Sequence, residues 1–166
     1  SANKDIRFID KSLENIFNIE LIKNIYPKAK FIHTYRNPLD SIISIYQSML
    51  PDLSWTHTIE DIVVYMDNYQ KVLKFFKSKY PDTILDINLE EFTRNSERLT
   101  KKMFNFCDLT WNDNIINFYK RKNLYSKTLS FNQIRSKVLK YNDKKYESYF
   151  NLLDDYKNKY VWLNLN

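Results

Sequence analysis

A predicted strand that runs straight into a well-capped helix is the feature that most narrowly limits how this chain folds. The strand, Lys30 to Tyr35, is rich in β-branched and aromatic residues. The next residues, Arg36-Asn37-Pro38-Leu39-Asp40, supply an asparagine N-cap, a proline at the first helical position and an acid in the first turn. A strand followed at once by a helix is the repeating unit of α/β proteins. The junction therefore predicts an α/β fold with Arg36 at the carboxyl end of a strand.

The rest of the chain continues this alternation of short strands and amphipathic helices. Apolar residues recur at helical spacing in the helices, and prolines end two of them, at Pro27 and Pro81. Such a pattern predicts a parallel sheet with flanking helices. The further predicted strands are Ile6 to Ile9 and Thr83 to Ile87, and the predicted helices are Leu13 to Tyr26, the one that starts at Asn37, Thr58 to Lys79, Glu90 to Phe106, Trp111 to Tyr119 and Lys144 to Tyr160.

Length and composition indicate one globular domain over residues 1–166. Hydrophobic residues make up 43% of the chain and charged residues 28%. Because no apolar run is long enough to span a membrane and no basic-then-apolar leader opens the chain, we expect neither a membrane span nor an intact secretory signal, and a cytoplasmic location. One cysteine and two histidines without ligand spacing exclude a zinc site, and we expect no metal.

The chain contains no glycine. Alanine is also scarce, which the bias of AT-rich coding explains. A glycine-rich phosphate loop is therefore absent from these residues, and left-handed helix ends and tight turns are expected to use asparagine instead.

The net charge of +6 is concentrated in one segment. Between Lys120 and Lys145 nine basic residues stand against one acid, Asp143. A local excess of this size indicates a polyanionic partner, although a solvated lysine face produces the same pattern.

Arg36 and Ser44 are the first candidate binding residues. In an open parallel sheet, ligands bind at the carboxyl ends of the strands, and a helix N-terminus there offers N–H groups and a positive dipole to a phosphate. Arg36 adds a guanidinium fork, and Ser44 on the same helix adds a hydroxyl donor. The alternative is that Arg36 only pairs with Asp40 beside the cap.

Two further groups are candidates. The run from Lys127 to Arg135 holds hydroxyl, amide and guanidinium groups that can surround a charged oxygen, but the same residues are common in ordinary loops. Lys11 follows the first predicted strand, where it either reaches the crevice beside Arg36 or pairs with Asp10 or Glu14.

The order in which these features follow one another resembles the order of motifs in a known protein family. Lys11 is followed by a helix, by the turn and strand Tyr26-Pro27-Lys28-Ala29-Lys30-Phe31, and by the Arg36 helix start with Ser44 on it. The later runs NLEEFTRNSERLTKKMFNFCDLTW and SKTLSFNQIRSKV, and then Tyr146 and Tyr149, complete the series. The series is similar to the motifs of the sulfotransferase family, specifically its bacterial TPR-linked and tyrosylprotein sulfotransferase branches. Those motifs read FPNAKxI, Arg-x-Pro-x-Asp, YEDLVxxPExxxxxLxxFxGLxW and TxSxxQVRxPI, with a Trp and a Tyr before the closing helix.

The resemblance implies transfer of a sulfonate group from 3′-phosphoadenosine 5′-phosphosulfate (PAPS) to a hydroxyl or amine acceptor. In the family, the residues that match Arg36 and Ser44 hold the 3′-phosphate of the nucleotide. The basic residue that matches Arg135 belongs to the same pocket, to which we also assign Gln133. The residues that match Lys11 and Ser130 lie near the sulfonate, and we predict these two as catalytic.

Some of the family's features have no counterpart in these residues, namely its 5′-phosphosulfate loop and the glutamate base of the tyrosylprotein branch. Leu89 replaces a tyrosine that stacks near adenine, and Asp108 replaces the glycine of the GLxW motif. We therefore predict a P-loop-NTPase-like sulfotransferase fold lacking its N-terminal phosphate-loop strand, which corresponds to the C-terminal two-thirds of the family's domain. An exposed sheet edge then predicts self-association.

Two other function classes stay open on the sequence alone. One is a nucleotide-binding module without catalysis. The other is a basic module that binds nucleic acid, which the charge and the aromatic content of 16% favour. Most aromatic residues fall on inward helical positions, so nucleic acid is the less expected partner.

Overall fold

The computed structural model describes residues 7–121 and 135–164. In these residues the protein has a mixed α/β fold with a two-stranded parallel sheet and flanking helices. The strands are β1 (Phe31–Tyr35) and β2 (Ile84–Asn88), and their register pairs Phe31 with Ile84 and Tyr35 with Asn88. The α-helices are α1 (Ile19–Ile25), α2 (Pro38–Ser48), α3 (Ile59–Lys79), α4 (Leu89–Arg94), α5 (Ser96–Phe106) and α6 (Asp154–Lys157). Turns of 3-10 helix cover Leu13–Asn18, Ser54–Thr56, Asp113–Ile115, Phe118–Lys120, Glu147–Leu153 and Val161–Asn164.

The predicted junction between β1 and α2 is confirmed. Asn37 caps α2, and its side-chain oxygen accepts hydrogen bonds from the backbone N–H groups of Leu39 (2.8 Å) and Asp40 (3.4 Å). Pro38 occupies the first helical position, where its missing N–H costs nothing.

The crossover from β1 to β2 consists of α2 and the long helix α3. Thr58 caps α3 by accepting from the N–H of Asp61 at 3.1 Å, as its position predicts. At 21 residues, α3 is roughly 30 Å long, so it returns the chain to the amino end of β2 and lets the two strands run parallel.

The core lies where α2, α3 and the C-terminal turns meet. Full burial of one large aliphatic side chain contributes roughly 1.5–3 kcal/mol, so this packing fixes the start of α2 firmly. The buried members are Leu39, Ile42, Ile43, Ile62, Val63, Tyr146, Leu153 and Leu163. The helical spacing of Ile42, Ile45, Tyr46 and Met49 predicts that these four side chains share the inner face of α2. Tyr46 and Met49 are nevertheless exposed, because the inner face is centred on Ile42 and Ile43.

His33 lies in the middle of β1, directly opposite Asp86 of β2. Its Nδ1 is 2.7 Å from one oxygen of Asp86, and the other oxygen accepts from Lys77 of α3 at 2.5 Å. His33 is therefore a largely buried structural histidine, as its position on an inward strand face indicates.

Five predicted elements differ in the structure. The predicted helix from Leu13 to Tyr26 begins as 3-10 helix (Leu13–Asn18) and is α-helical only over Ile19–Ile25, and the predicted helix from Trp111 to Tyr119 consists of two 3-10 turns, Asp113–Ile115 and Phe118–Lys120. Residues 7–10 form no strand, and the side chain of Ile9 is 93% exposed, because this segment has no backbone partner among the described residues. The predicted helix from Glu90 to Phe106 is two helices, since Asn95 has a non-helical backbone (φ −131°, ψ 47°). The predicted closing helix is mostly 3-10 helix, which leaves Tyr149 and Leu152 exposed.

Left-handed backbone occurs at Met49 (φ 38°) and Asp108 (φ 52°). The prediction that asparagine fills such positions in the described residues is wrong. Asp108 stands where the resembled GLxW motif has glycine, and aspartate is one of the side chains that tolerate this conformation best. The described residues include no helix long and apolar enough to cross a membrane, and no group of three or more potential metal-ligating side chains.

Candidate functional site

The carboxyl ends of β1 and β2 meet beside the start of α2. Arg36 follows β1 immediately, and Glu90 follows β2 by two residues. The two ends are tied together, since the N–H of Asn37 donates to the Glu90 carboxylate at 2.9 Å. The backbone on both sides of the predicted site is therefore held in one arrangement at this edge of the sheet.

The backbone donors at the start of α2 are already used inside the protein. Asn37 donates to Glu90, Leu39 and Asp40 donate to the Asn37 side chain, and Ser41 donates to the Asn37 carbonyl. The expectation that these N–H groups are open to a phosphate is therefore wrong. Only side-chain donors are left for an anion at this helix start, and the helix dipole adds to the positive potential there.

Arg36 is half-buried and points along the first turn of α2. Its Nε donates to the hydroxyl of Ser41 at 3.3 Å, and its Nη2 donates to the backbone carbonyl of Asp40 at 3.4 Å. Neither contact reaches the Asp40 carboxylate, so the alternative in which Arg36 pairs with that acid is not what the structure has. A guanidinium has five N–H donors, and these two contacts leave most of its fork available to an anion.

Ser44 and Arg36 lie around one phenol, that of Tyr146. Hydrogen bonds from Lys145 and then from Ser44 hold the pKa of Tyr146 below its usual value, and the charge of Arg36 acts in the same direction. Lys145 also lies over the Tyr146 ring, 4.7 Å from its centre. The structure thus brings the two predicted residues Arg36 and Ser44 together and adds Lys145 as a second cation.

The sequence did not single out Lys145, which it counted only as one of the nine basic residues. Its position directly before Tyr146 was the available signal, because the resemblance places an aromatic residue there. The contact between Tyr146 and Ser44 depends on how the C-terminal turns pack on α2, which the periodicity of the sequence does not predict.

Asp40 and Tyr141 form a second, buried contact at the same helix start. Asp40 is 1% exposed, and its Oδ2 accepts a hydrogen bond from the Tyr141 hydroxyl. Burial, and next the hydrogen bond to Asp40, raise the pKa of Tyr141 above its usual range. The other oxygen, Oδ1, has no partner among the described residues.

Lys11 is exposed, and no ion pair with Asp10 or Glu14 forms. The residues on either side of Lys11 locate the segment. Arg7 donates to the carbonyl of Cys107 at 2.6 Å, near the amino end of β1. Glu14 lies close to Tyr65, in the first half of α3, where burial and next the charge of Glu14 raise the pKa of that phenol. The segment between them therefore runs toward the end of the sheet where α2 starts.

The geometry brings Arg36 and Ser44 near each other but does not test the role predicted for any of the site residues. Arg135 lies on an exposed turn at the start of the second described stretch. Ser130 and Gln133 lie outside the described residues. The roles assigned to all three stay predictions.

Comparison with known proteins gives two matches. The model of a sulfotransferase family matches residues 2–113, a stretch that contains Lys11, Arg36 and Ser44. An uncharacterized protein of Aquifex aeolicus (strain VF5) is 29% identical over 154 residues, which is 86% of this chain and 19% of that protein. The chain thus spans about a fifth of the length of this relative.

Proposed function

The chain belongs to the sulfotransferase family, and we propose that it binds PAPS and its product adenosine 3′,5′-bisphosphate (PAP) at the start of α2. The observation that carries this proposal is the convergence of Arg36, Ser44 and Lys145 around Tyr146 at the carboxyl end of β1. The acceptor in this proposal is a hydroxyl or an amine.

In this proposal Arg36, Ser44 and Lys145 hold the 3′-phosphate. The guanidinium fork matches two phosphate oxygens, and the ammonium of Lys145 adds a second charge-assisted hydrogen bond. This assignment agrees with the donors at the site. The backbone N–H groups at the start of α2 already bond within the protein, so only side-chain donors remain for a phosphate. Arg135 and Gln133 extend the same pocket from the basic segment.

Lys11 and Ser130 are proposed at the sulfonate end. PAPS supplies an activated sulfonate, and negative charge grows on the bridging oxygen as that bond breaks. A lysine ammonium at this oxygen stabilises the transition state more than the bound donor, which is the condition for catalysis. Ser130 donates to the moving sulfonate or holds the acceptor. We place the chain with the TPR-linked and tyrosylprotein branches because its motifs follow their order.

Isothermal titration calorimetry with PAP tests the nucleotide site in the 166-residue chain. Arg36→Ala should weaken binding by roughly tenfold to a hundredfold, and Ser44→Ala by about fivefold, since charged hydrogen bonds contribute more than neutral ones. Arg98→Ala is the matched control, because Arg98 is an exposed arginine that pairs with Glu91 on another helix. Lys11→Ala should cost less affinity than Arg36→Ala, because PAP lacks the sulfonate.

Equal losses for Arg36→Ala and Arg98→Ala, or no binding of PAP at all, would count against the proposal. The same titration with a short oligonucleotide separates the second candidate, a nucleic-acid module. Oligonucleotide binding that is tighter than PAP binding and falls steeply with salt, as it does for many phosphate contacts, would favour that candidate.

A further inference from the structure

A closed ring of hydrogen bonds surrounds the start of α2. Asn37 N–H donates to the Glu90 carboxylate (2.9 Å), the Thr93 hydroxyl donates to the Glu90 carbonyl (3.0 Å), and Tyr141 N–H donates to Thr93 Oγ1 (3.0 Å). The Tyr141 hydroxyl then donates to the Asp40 carboxylate, and Asp40 N–H donates back to the Asn37 side chain. Tyr141 contributes two hydrogen bonds to this ring, one from its backbone N–H and one from its phenol.

We infer that Tyr141 is a positioning residue for the nucleotide site: by satisfying the Asp40 carboxylate, it keeps Arg36 available to the phosphate. This inference rests on the proposed function. It concerns a residue that lies outside the stretch matched by the family model.

The reason lies in the burial of Asp40. A buried carboxylate without a hydrogen-bond donor is costly, and the phenol of Tyr141 is the one side-chain donor that the described residues offer it. If that donor is removed, the carboxylate attracts the nearest cation.

That cation is Arg36. Its Nη2 already donates to the Asp40 backbone carbonyl at 3.4 Å, and its charge acts on the Tyr141 phenol, so it is close to both groups. A small rotation brings the guanidinium to the Asp40 carboxylate. Arg36 would then be paired inside the protein, and the phosphate would lose its strongest partner.

The test is a double-mutant cycle on PAP affinity, measured by calorimetry. Tyr141→Phe removes one oxygen and should weaken PAP binding about tenfold, the loss expected when a charged hydrogen bond is redirected. In an Asp40→Asn background the neutral amide no longer captures Arg36, so adding Tyr141→Phe should change affinity by less than about twofold. Tyr149→Phe is the matched control, because Tyr149 is exposed, and it should bind as the unmodified chain does.

A second readout needs no nucleotide. In two-dimensional NMR the Arg36 Nε–H signal should shift, and its exchange with water should slow, in Tyr141→Phe but not in Tyr141→Phe with Asp40→Asn. An unchanged Arg36 signal in Tyr141→Phe, or a loss of affinity that persists with Asp40→Asn, overturns the inference. If the Arg36 signal responds as expected while the unmodified chain does not bind PAP, the proposed function fails and the positioning of Arg36 by Tyr141 stands.

Discussion

The Arg36 side chain is held in place by two hydrogen bonds that use only two of its five N–H donors. Its contacts to Ser41 and to the Asp40 carbonyl fix the direction of the guanidinium, and its charge acts on the phenol of Tyr146. Holding a long side chain before the ligand arrives lowers the entropy lost on binding. Lysine has no fork and cannot keep both contacts while reaching an anion, so arginine is the suitable residue here.

His33 gives a prediction about pH at the same scale. Burial lowers the pKa of His33, and the hydrogen bond and charge of Asp86 offset this only in part. In the unfolded chain His33 titrates near its ordinary value of about 6.5. Between the lowered and the ordinary pKa the unfolded state binds more protons, so the free energy of unfolding should fall as pH drops from about 7 through this window.

Urea denaturation at a series of pH values measures this effect. His33→Asn keeps a donor for Asp86 but does not titrate, so it should flatten the profile between about pH 7 and 5. His57→Asn is the matched control, because it removes the other histidine, which is exposed, and leaves the His33–Asp86 pair intact. Burial acts to raise the pKa of Asp86, but the hydrogen bonds from Lys77 and His33 together outweigh it and lower that pKa. The stability that Asp86 contributes is therefore lost only at more acidic pH. An unchanged slope in His33→Asn would show that another group is responsible.

At the scale of single elements, the end of α2 carries backbone strain. Met49 ends the helix in the left-handed conformation, with φ 38° and ψ 59°, where a side chain with a Cβ costs roughly 1 kcal/mol. Its side chain is 63% exposed, so little packing offsets this cost.

Met49→Gly should therefore raise the free energy of unfolding by about 1 kcal/mol relative to Met49→Ala. The alanine variant is the matched control, since it loses the same side chain but keeps the Cβ. Thermal and urea denaturation of both variants measure the difference. Equal stabilities would mean that the helix end relaxes without the glycine.

The elements that the sequence predicts well are those whose signals are local. The Asn37 cap and Pro38 predict the start of α2, Thr58 predicts the start of α3, and the β-branched runs predict β1 and β2. These signals depend on the residues' own backbone preferences, which tertiary contacts did not override.

The elements that differ depend on partners elsewhere in the chain. Residues 7–10 have the composition of a strand but no neighbour to pair with among the described residues, and the segment from Glu147 to Leu153 is held as 3-10 helix by its packing on α2. For the same reason the sequence predicted Arg36 and Ser44 as neighbours on one helix, but not Lys145, Tyr146 or Tyr141. Their approach needs contacts across about 100 residues, such as that from Tyr141 to Asp40.

At the scale of the whole molecule, the N-terminal part presents an apolar surface to solvent. The rings of Phe8 and Tyr26 pack edge to face with centres 5.3 Å apart, and large apolar side chains are exposed around them. The exposed side chains in this part are Phe8, Ile9, Leu13, Leu21, Ile25 and Tyr26. Exposed apolar side chains in this number favour association.

We predict that the 166-residue chain self-associates as its concentration rises. Ile9→Lys should reduce association, because it replaces one of these exposed apolar side chains by a charged one, while Val161→Lys, at an exposed site in the C-terminal turns, should not. Light scattering over a range of concentrations measures the mass of the species in solution. A monomer at every concentration would argue that this surface does not associate.

The central claim is that a 3′-phosphorylated nucleotide binds at the start of α2, and NMR chemical-shift mapping tests it most directly. PAP and adenosine 5′-monophosphate differ by the 3′-phosphate alone, so signals that respond only to PAP locate that phosphate. These signals should come from Arg36 to Ser44 and from Lys145 and Tyr146. PAP-specific shifts centred elsewhere, for example on the basic residues of α5, or identical shifts with both nucleotides, would contradict it.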